Sequence, residues 1–221
     1  MLRLENITKS FTGRGLVLDN LELNVKEADP IAVTGPSGSG KTTLLNIISL
    51  LDRPDSGRIF FNEKSILTFN PDESAHYRNT NLGFVFQDHL LFPHLTIKEN
   101  ILLPVFATDI SKKTFQEKEA YCLFLMARTG ITDISSKYPF QVSGGEAQRA
   151  TLVRALINKP AVLLADEPTG SLDSKNADML GDLLVEMNTE FGLTLIVATH
   201  SRSLASKMKI HLRLENGKLV K

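Results

Sequence analysis

The chain has 221 residues, 42% of them apolar, which is enough to bury a large core and argues against a disordered polymer. Lys+Arg and Asp+Glu each number 25, so no global field attracts DNA, RNA or an anionic bilayer, and nucleic acid is not expected as a partner. No apolar run approaches the ~20 residues of a membrane-spanning helix, and residues 1–9 do not read as a signal peptide, so the expected compartment is the cytoplasm.

Residues 2–61 carry short runs that alternate apolar and polar side chains, as in Leu18-Asp19-Asn20-Leu21-Glu22-Leu23-Asn24-Val25. That period suits antiparallel strands with one wetted face. Within this zone Ile31-Ala32-Val33-Thr34 is a short apolar strand that enters Gly35-Pro36-Ser37-Gly38-Ser39-Gly40-Lys41-Thr42, followed by helical spacing over 42–51. The octet fits G-x-x-x-x-G-K-[ST] in its required setting between strand and helix. Glycines let the backbone wrap an anion closely, and the helix adds its positive end. Lys41 is placed to reach β- and γ-phosphate oxygens and Thr42 to ligate Mg²⁺, with Thr43 as a weaker phosphate contact.

Residues 88–159 turn helical, with mixed charge over 112–129 and an apolar stripe over 146–158. The single cysteine, Cys122, lies in an apolar stretch and reads as a small buried side chain rather than a reactive one. From 161 to 214 apolar strands alternate with helices, the mark of a parallel sheet covered on both faces. The strand Ala161-Val162-Leu163-Leu164-Ala165 delivers Asp166 and Glu167 to the carboxyl edge of that sheet. Asp166 suits Mg²⁺, and Glu167 suits a group that orients or deprotonates the attacking water.

Val142-Ser143-Gly144-Gly145-Glu146-Ala147-Gln148-Arg149 resembles the L-S-G-G-Q signature of ATP-binding cassette (ABC) proteins, departing at Val142, Glu146 and Ala147. Ser143 and the two glycines would open a helix, a second anion-binding end. The resemblance covers nearly the whole chain. It implies an α/β fold: a P-loop NTPase (RecA-like) parallel core with an N-terminal antiparallel β subdomain and an inserted α-helical subdomain, residues 1–87 and 160–221 forming the former two and about 88–159 the last. It also implies that ATP and Mg²⁺ bind and that ATP is hydrolysed. By the same resemblance Phe11 stacks on adenine, although a lone Phe in a strand-rich zone otherwise reads as core. Gln87 matches the Q-loop glutamine that senses Mg²⁺ and water, Asp173 the D-loop, and His200 the switch histidine. Ser143, Gly144, Gly145 and Glu146 would meet the γ-phosphate held by a second copy, so a homodimer is expected.

Residues 81–104 and 165–173 look like those of the small cassettes in the LolD, MacB and FtsE group, with LolD-type lipoprotein-releasing ATPases nearest. That resemblance implies integral membrane permease subunits as partners and a peripheral position on the cytoplasmic face of the inner membrane. The resemblance leaves macrolide or peptide export open beside lipoprotein release; the alternatives are an FtsE-like coupling protein for cell division and a soluble cassette ATPase unconnected to transport.

Overall fold

The computed structural model describes residues 1–107 and 111–220; residues 108–110 of the expected helical lobe, and residue 221, lie outside the described residues. Strands β1 (Leu2–Phe11) and β2 (Gly15–Val25) pair as a hairpin. With β4 (Ser56–Phe61) and β5 (Lys64–Ser65) they form an antiparallel sheet in the order β2-β1-β4-β5. The second sheet joins β3 (Pro30–Thr34), β6 (Leu82–Val85), β7 (Val162–Asp166), β8 (Thr194–Ala198) and β9 (Ile210–Glu215) in parallel, with β10 (Lys218–Val220) antiparallel at one edge. Its order is β10-β9-β3-β8-β7-β6.

The parallel strands are buried on both faces, and their period of two splits them between two cores. Ile31, Val33, Val162, Leu164, Ile196 and Ala198 face α1 (Lys41–Ile48) and the antiparallel sheet. Ala32, Leu163, Ala165, Leu195 and Val197 face the opposite way. That second core also takes side chains from α3 (Ile97–Phe106), α4 (Lys112–Arg128), α5 (Gly144–Leu156) and α6 (Ser174–Phe191). Full burial of each Leu or Ile contributes about 1.5–3 kcal/mol, so both faces hold the sheet. Strand β6 presses on α5 so closely that a Cβ on Gly83 would lie 2.4 Å from the Ala155 carbonyl oxygen.

The helix expected over 42–51 is shorter. It ends at Ile48, and Leu50 sits at φ 56°, a left-handed conformation that α-helix cannot continue through. The polar segment after β5 forms α2 (Pro71–Asn81), for which the apolar periodicity gave no signal. Its ends explain it: Asn70 accepts from the Glu73 N–H at 2.9 Å, Glu73 returns the bond to the Asn70 N–H at 2.9 Å, and Pro71 stands at the first helical position.

Cys122 is fully buried on α4, and burial pushes its thiol up to about 11. At pH 8 roughly 0.1% would be thiolate. Iodoacetamide is therefore expected to leave the folded chain unmodified at pH 8 and to alkylate it fully in denaturing urea, as read by mass spectrometry.

Candidate active site

The carboxyl ends of β3, β8 and β7 lie side by side, and each delivers one part of the site. From β3 comes the glycine-rich turn. Gly40 caps α1 at φ 108°, and a Cβ there would lie 2.9 Å from Val17 Cγ1, so neither the backbone angle nor the space admits another residue. Lys41 is buried against this turn and donates from Nζ to the carbonyls of Gly35 at 3.0 Å and Pro36 at 3.3 Å.

From β7 come Asp166 and Glu167. Glu167 stands at φ 45°, a strained conformation for a residue with a side chain, fixed by its N–H donating to Ala198 at 2.8 Å and its carbonyl accepting from Gly170 at 3.0 Å. The twist aims its carboxylate across the sheet edge. Oε1 lies 3.5 Å from Lys41 Nζ. Oε2 accepts from the Thr199 hydroxyl at 3.1 Å and the His200 N–H at 3.1 Å, and lies 2.9 Å from His200 Nδ1. Thr199 and His200 are what β8 contributes.

These parts enclose a cavity of about 540 Å³ lined by Ser37, Gly38, Gly40, Lys41, Thr42, Thr43, Gln87, Asp166, Glu167, His200 and Arg14. Arg14 belongs to none of the motifs in the sequence. Its guanidinium donates to the Gly38 carbonyl, and Gly13 and Gly15, at φ 81° and 78°, turn the β1–β2 hairpin back toward the loop. The Gly-Arg-Gly triplet was a legible turn signal, but which way the turn faced was not.

Asp166 is buried, and burial raises its carboxyl above the usual range; a hydrogen bond from Thr42 opposes this, Glu167 adds to it and Lys41 counters it. Its Oδ1 has no hydrogen-bond partner, nor does the buried Ser39 hydroxyl. A buried carboxylate oxygen without a donor, with the Thr42 hydroxyl and the Gln87 amide oxygen lining the same cavity, is an all-oxygen set that fits a hard divalent cation.

Phe11 lies outside the cavity lining, at the end of β1, with its ring 37% exposed and Lys9 Nζ 5.0 Å from the ring centroid. The signature residues also lie outside it. Ser143 caps α5: its hydroxyl accepts from the Glu146 N–H at 3.3 Å, and Glu146 accepts from the Ser143 N–H at 2.7 Å and hydroxyl at 2.8 Å. These bonds hold the Glu146 carboxyl below the usual range, and they give Glu at this place a local structural use. Asp173 caps α6 in the same manner, accepting from Asn176, which keeps its carboxyl low as well. The two caps touch: a Cβ on Gly145 would lie 2.5 Å from Asn176 Oδ1.

The family model described as ABC transporter matches residues 18–170, more than half of the chain. The lipoprotein-releasing system ATP-binding protein LolD of Bacteroides thetaiotaomicron is 40% identical over 221 residues, covering 100% of both chains. The solved dimeric structure of MJ0796, a bacterial ABC transporter cassette, superposes with a TM-score of 0.89 at 36% identity, covering 100% of this chain and 97% of that one. A second dimeric structure of that cassette, in a post-hydrolysis state bound to ADP and Pi, gives a TM-score of 0.86 at 35% identity over the same shares. Likeness at this level over the entire length means that the chain belongs to the ABC transporter family, as one of its ATP-binding and ATP-hydrolysing subunits.

Proposed function

We propose that the chain powers a lipoprotein-releasing transport complex by closing as a homodimer on two molecules of ATP. The observation that carries this reading is the separation of Ser143, Gly144 and Gly145 from the cavity around Lys41. Helix α5 begins with backbone N–H groups at its positive end, yet no phosphate held by the same chain's loop would meet them. A second copy brings the two ends together. Asp173, capping the neighbouring helix, would lie on the same closing face, and Phe11, at the end of the strand whose hairpin turn carries Arg14 to Gly38, would stack on the adenine.

Within each pocket Lys41 turns from its loop carbonyls to the β- and γ-phosphates. Thr42, Asp166 and Gln87 would hold Mg²⁺, which supplies neutralisation of phosphate charge when bound. Oε2 of Glu167 is already engaged by Thr199 and His200, so Oε1 is the oxygen left to take a proton from the attacking water. His200 thereby orients Glu167 from one side while remaining exposed toward the nucleotide. Residues 88–159 serve as the helical subdomain that faces the integral membrane subunits, with the remainder as core, and the complex sits on the cytoplasmic side of the membrane. Lipoprotein as cargo is carried by the full-length likeness to LolD.

Ser143→Arg tests the two-chain pocket. The variant is expected to bind ATP as a monomer, to show no ATP-dependent dimer by light scattering and to lose hydrolysis; wild-type turnover would refute the shared site. Cargo is tested by reconstitution with the membrane subunits in vesicles, where ATP should discharge an acylated lipoprotein from the bilayer.

A further inference from the structure

Gln148 lies in the second turn of α5 and is fully buried. Its amide nitrogen donates to the Phe86 carbonyl at 2.9 Å and the Pro168 carbonyl at 2.8 Å. Phe86 directly precedes Gln87, and Pro168 directly follows Glu167. One side chain thus ties together the backbone beside Gln87, assigned above to Mg²⁺, and Glu167, assigned above to the attacking water. A primary amide has two N–H donors, and with both directed at carbonyls its oxygen can only accept. That oxygen lies 2.5 Å from His89 Nδ1. Two acceptors would repel at such a distance, so His89 carries a proton on Nδ1.

The surroundings hold His89 in place. Arg154, two turns further along α5, donates to the carbonyls of His89 at 3.0 Å and Leu90 at 2.8 Å. Leu90 itself stands at φ 46°, a conformation that persists only where neighbours impose it. On its other edge the imidazole faces the signature turn, where a Cβ on Gly144 would lie 3.9 Å from His89 Nε2.

We propose that His89 is a positioning residue for ATP hydrolysis: its Nδ1–H fixes the orientation of Gln148, and through Phe86 and Pro168 sets the placement of Gln87 relative to Glu167. The proposal rests on the roles given above to Gln87 and Glu167. A packing role would be met by any side chain of similar bulk, whereas a positioning role requires a donor at the Nδ1 place. The amide nitrogen of Asn can occupy that place; the longer Gln and the apolar Leu cannot.

The test is steady-state hydrolysis by the purified full chain with MgATP, alongside thermal melting. His89→Leu and His89→Gln are expected to lower kcat roughly tenfold or more, since a misplacement of about 1 Å costs up to ~100-fold, with KM within about twofold of wild type. His89→Asn should recover most of kcat. The Asn and Gln pair keeps the contrast free of any folding defect caused by an apolar side chain. Wild-type kcat in His89→Leu, or equal kcat in the Asn and Gln variants, would overturn the proposal. Glu167→Gln run in parallel separates the two claims: if it hydrolyses normally the active-site reading fails, whereas if it is inactive and His89→Leu is active only the role of His89 fails.

Discussion

Glu167→Gln is expected to leave MgATP binding within about twofold of wild type while turnover falls by ~10²–10⁴, the usual contribution of a positioned general base. The amide keeps the size of the carboxylate, so the strained turn at φ 45° and the acceptor for Thr199 and His200 both survive. What disappears is the basic oxygen facing Lys41 at 3.5 Å. Loss of that negative charge also removes repulsion between the side chain and the γ-phosphate. An ATP-bound dimer should therefore accumulate, visible as a doubled mass in gel filtration with light scattering. Hydrolysis at the wild-type rate would show that Glu167 is not the base.

Lys41→Ala is the second large effect. The buried ammonium is shared among Gly35, Pro36 and Glu167, three acceptors that a phosphate would replace. Truncating one member of a buried, hydrogen-bonded charge pair costs about 2–5 kcal/mol, so ATP affinity should fall roughly 30- to 5,000-fold. Calorimetric titration measures this directly. The rise in melting temperature that saturating ATP gives the wild type should vanish as well. An unchanged dissociation constant would mean that the phosphates sit elsewhere.

The two substitutions act on one contact but divide its consequences, because the proposed function gives binding to Lys41 and the chemical step to Glu167. That division follows from where each side chain is held. Lys41 is fixed by its own loop, while Glu167 is fixed by the end of β8, the strand that lies between the other two.

Much of this was legible in the residues. The octet 35–42 required a strand before it and a helix after it, and Ile31-Ala32-Val33-Thr34 with the spacing from 42 onward met both demands. The apolar run 161–165 required burial on two faces, and β7 is buried throughout. Those signals are local: glycine at positive φ, a lysine at fixed spacing and a period of two each act within a few residues. Helix α2 escaped because its stability begins with a capping box and a proline rather than with an apolar stripe.

By itself the sequence determined the glycine-rich loop between strand and helix, the acidic pair at a strand end, the turn that opens α5 and the kinship that links them, since each rests on residue type and short spacing. Only the tertiary structure decided that Arg14 turns toward Gly38, that Glu146 closes a cap on Ser143, and that Gln148 joins Phe86, Pro168 and His89. These contacts connect segments such as 86, 89, 148 and 168, whose approach depends on how α5 packs beside β6. Spacing along a chain carries no record of such an approach, because it is fixed by burial of side chains far from the residues that meet.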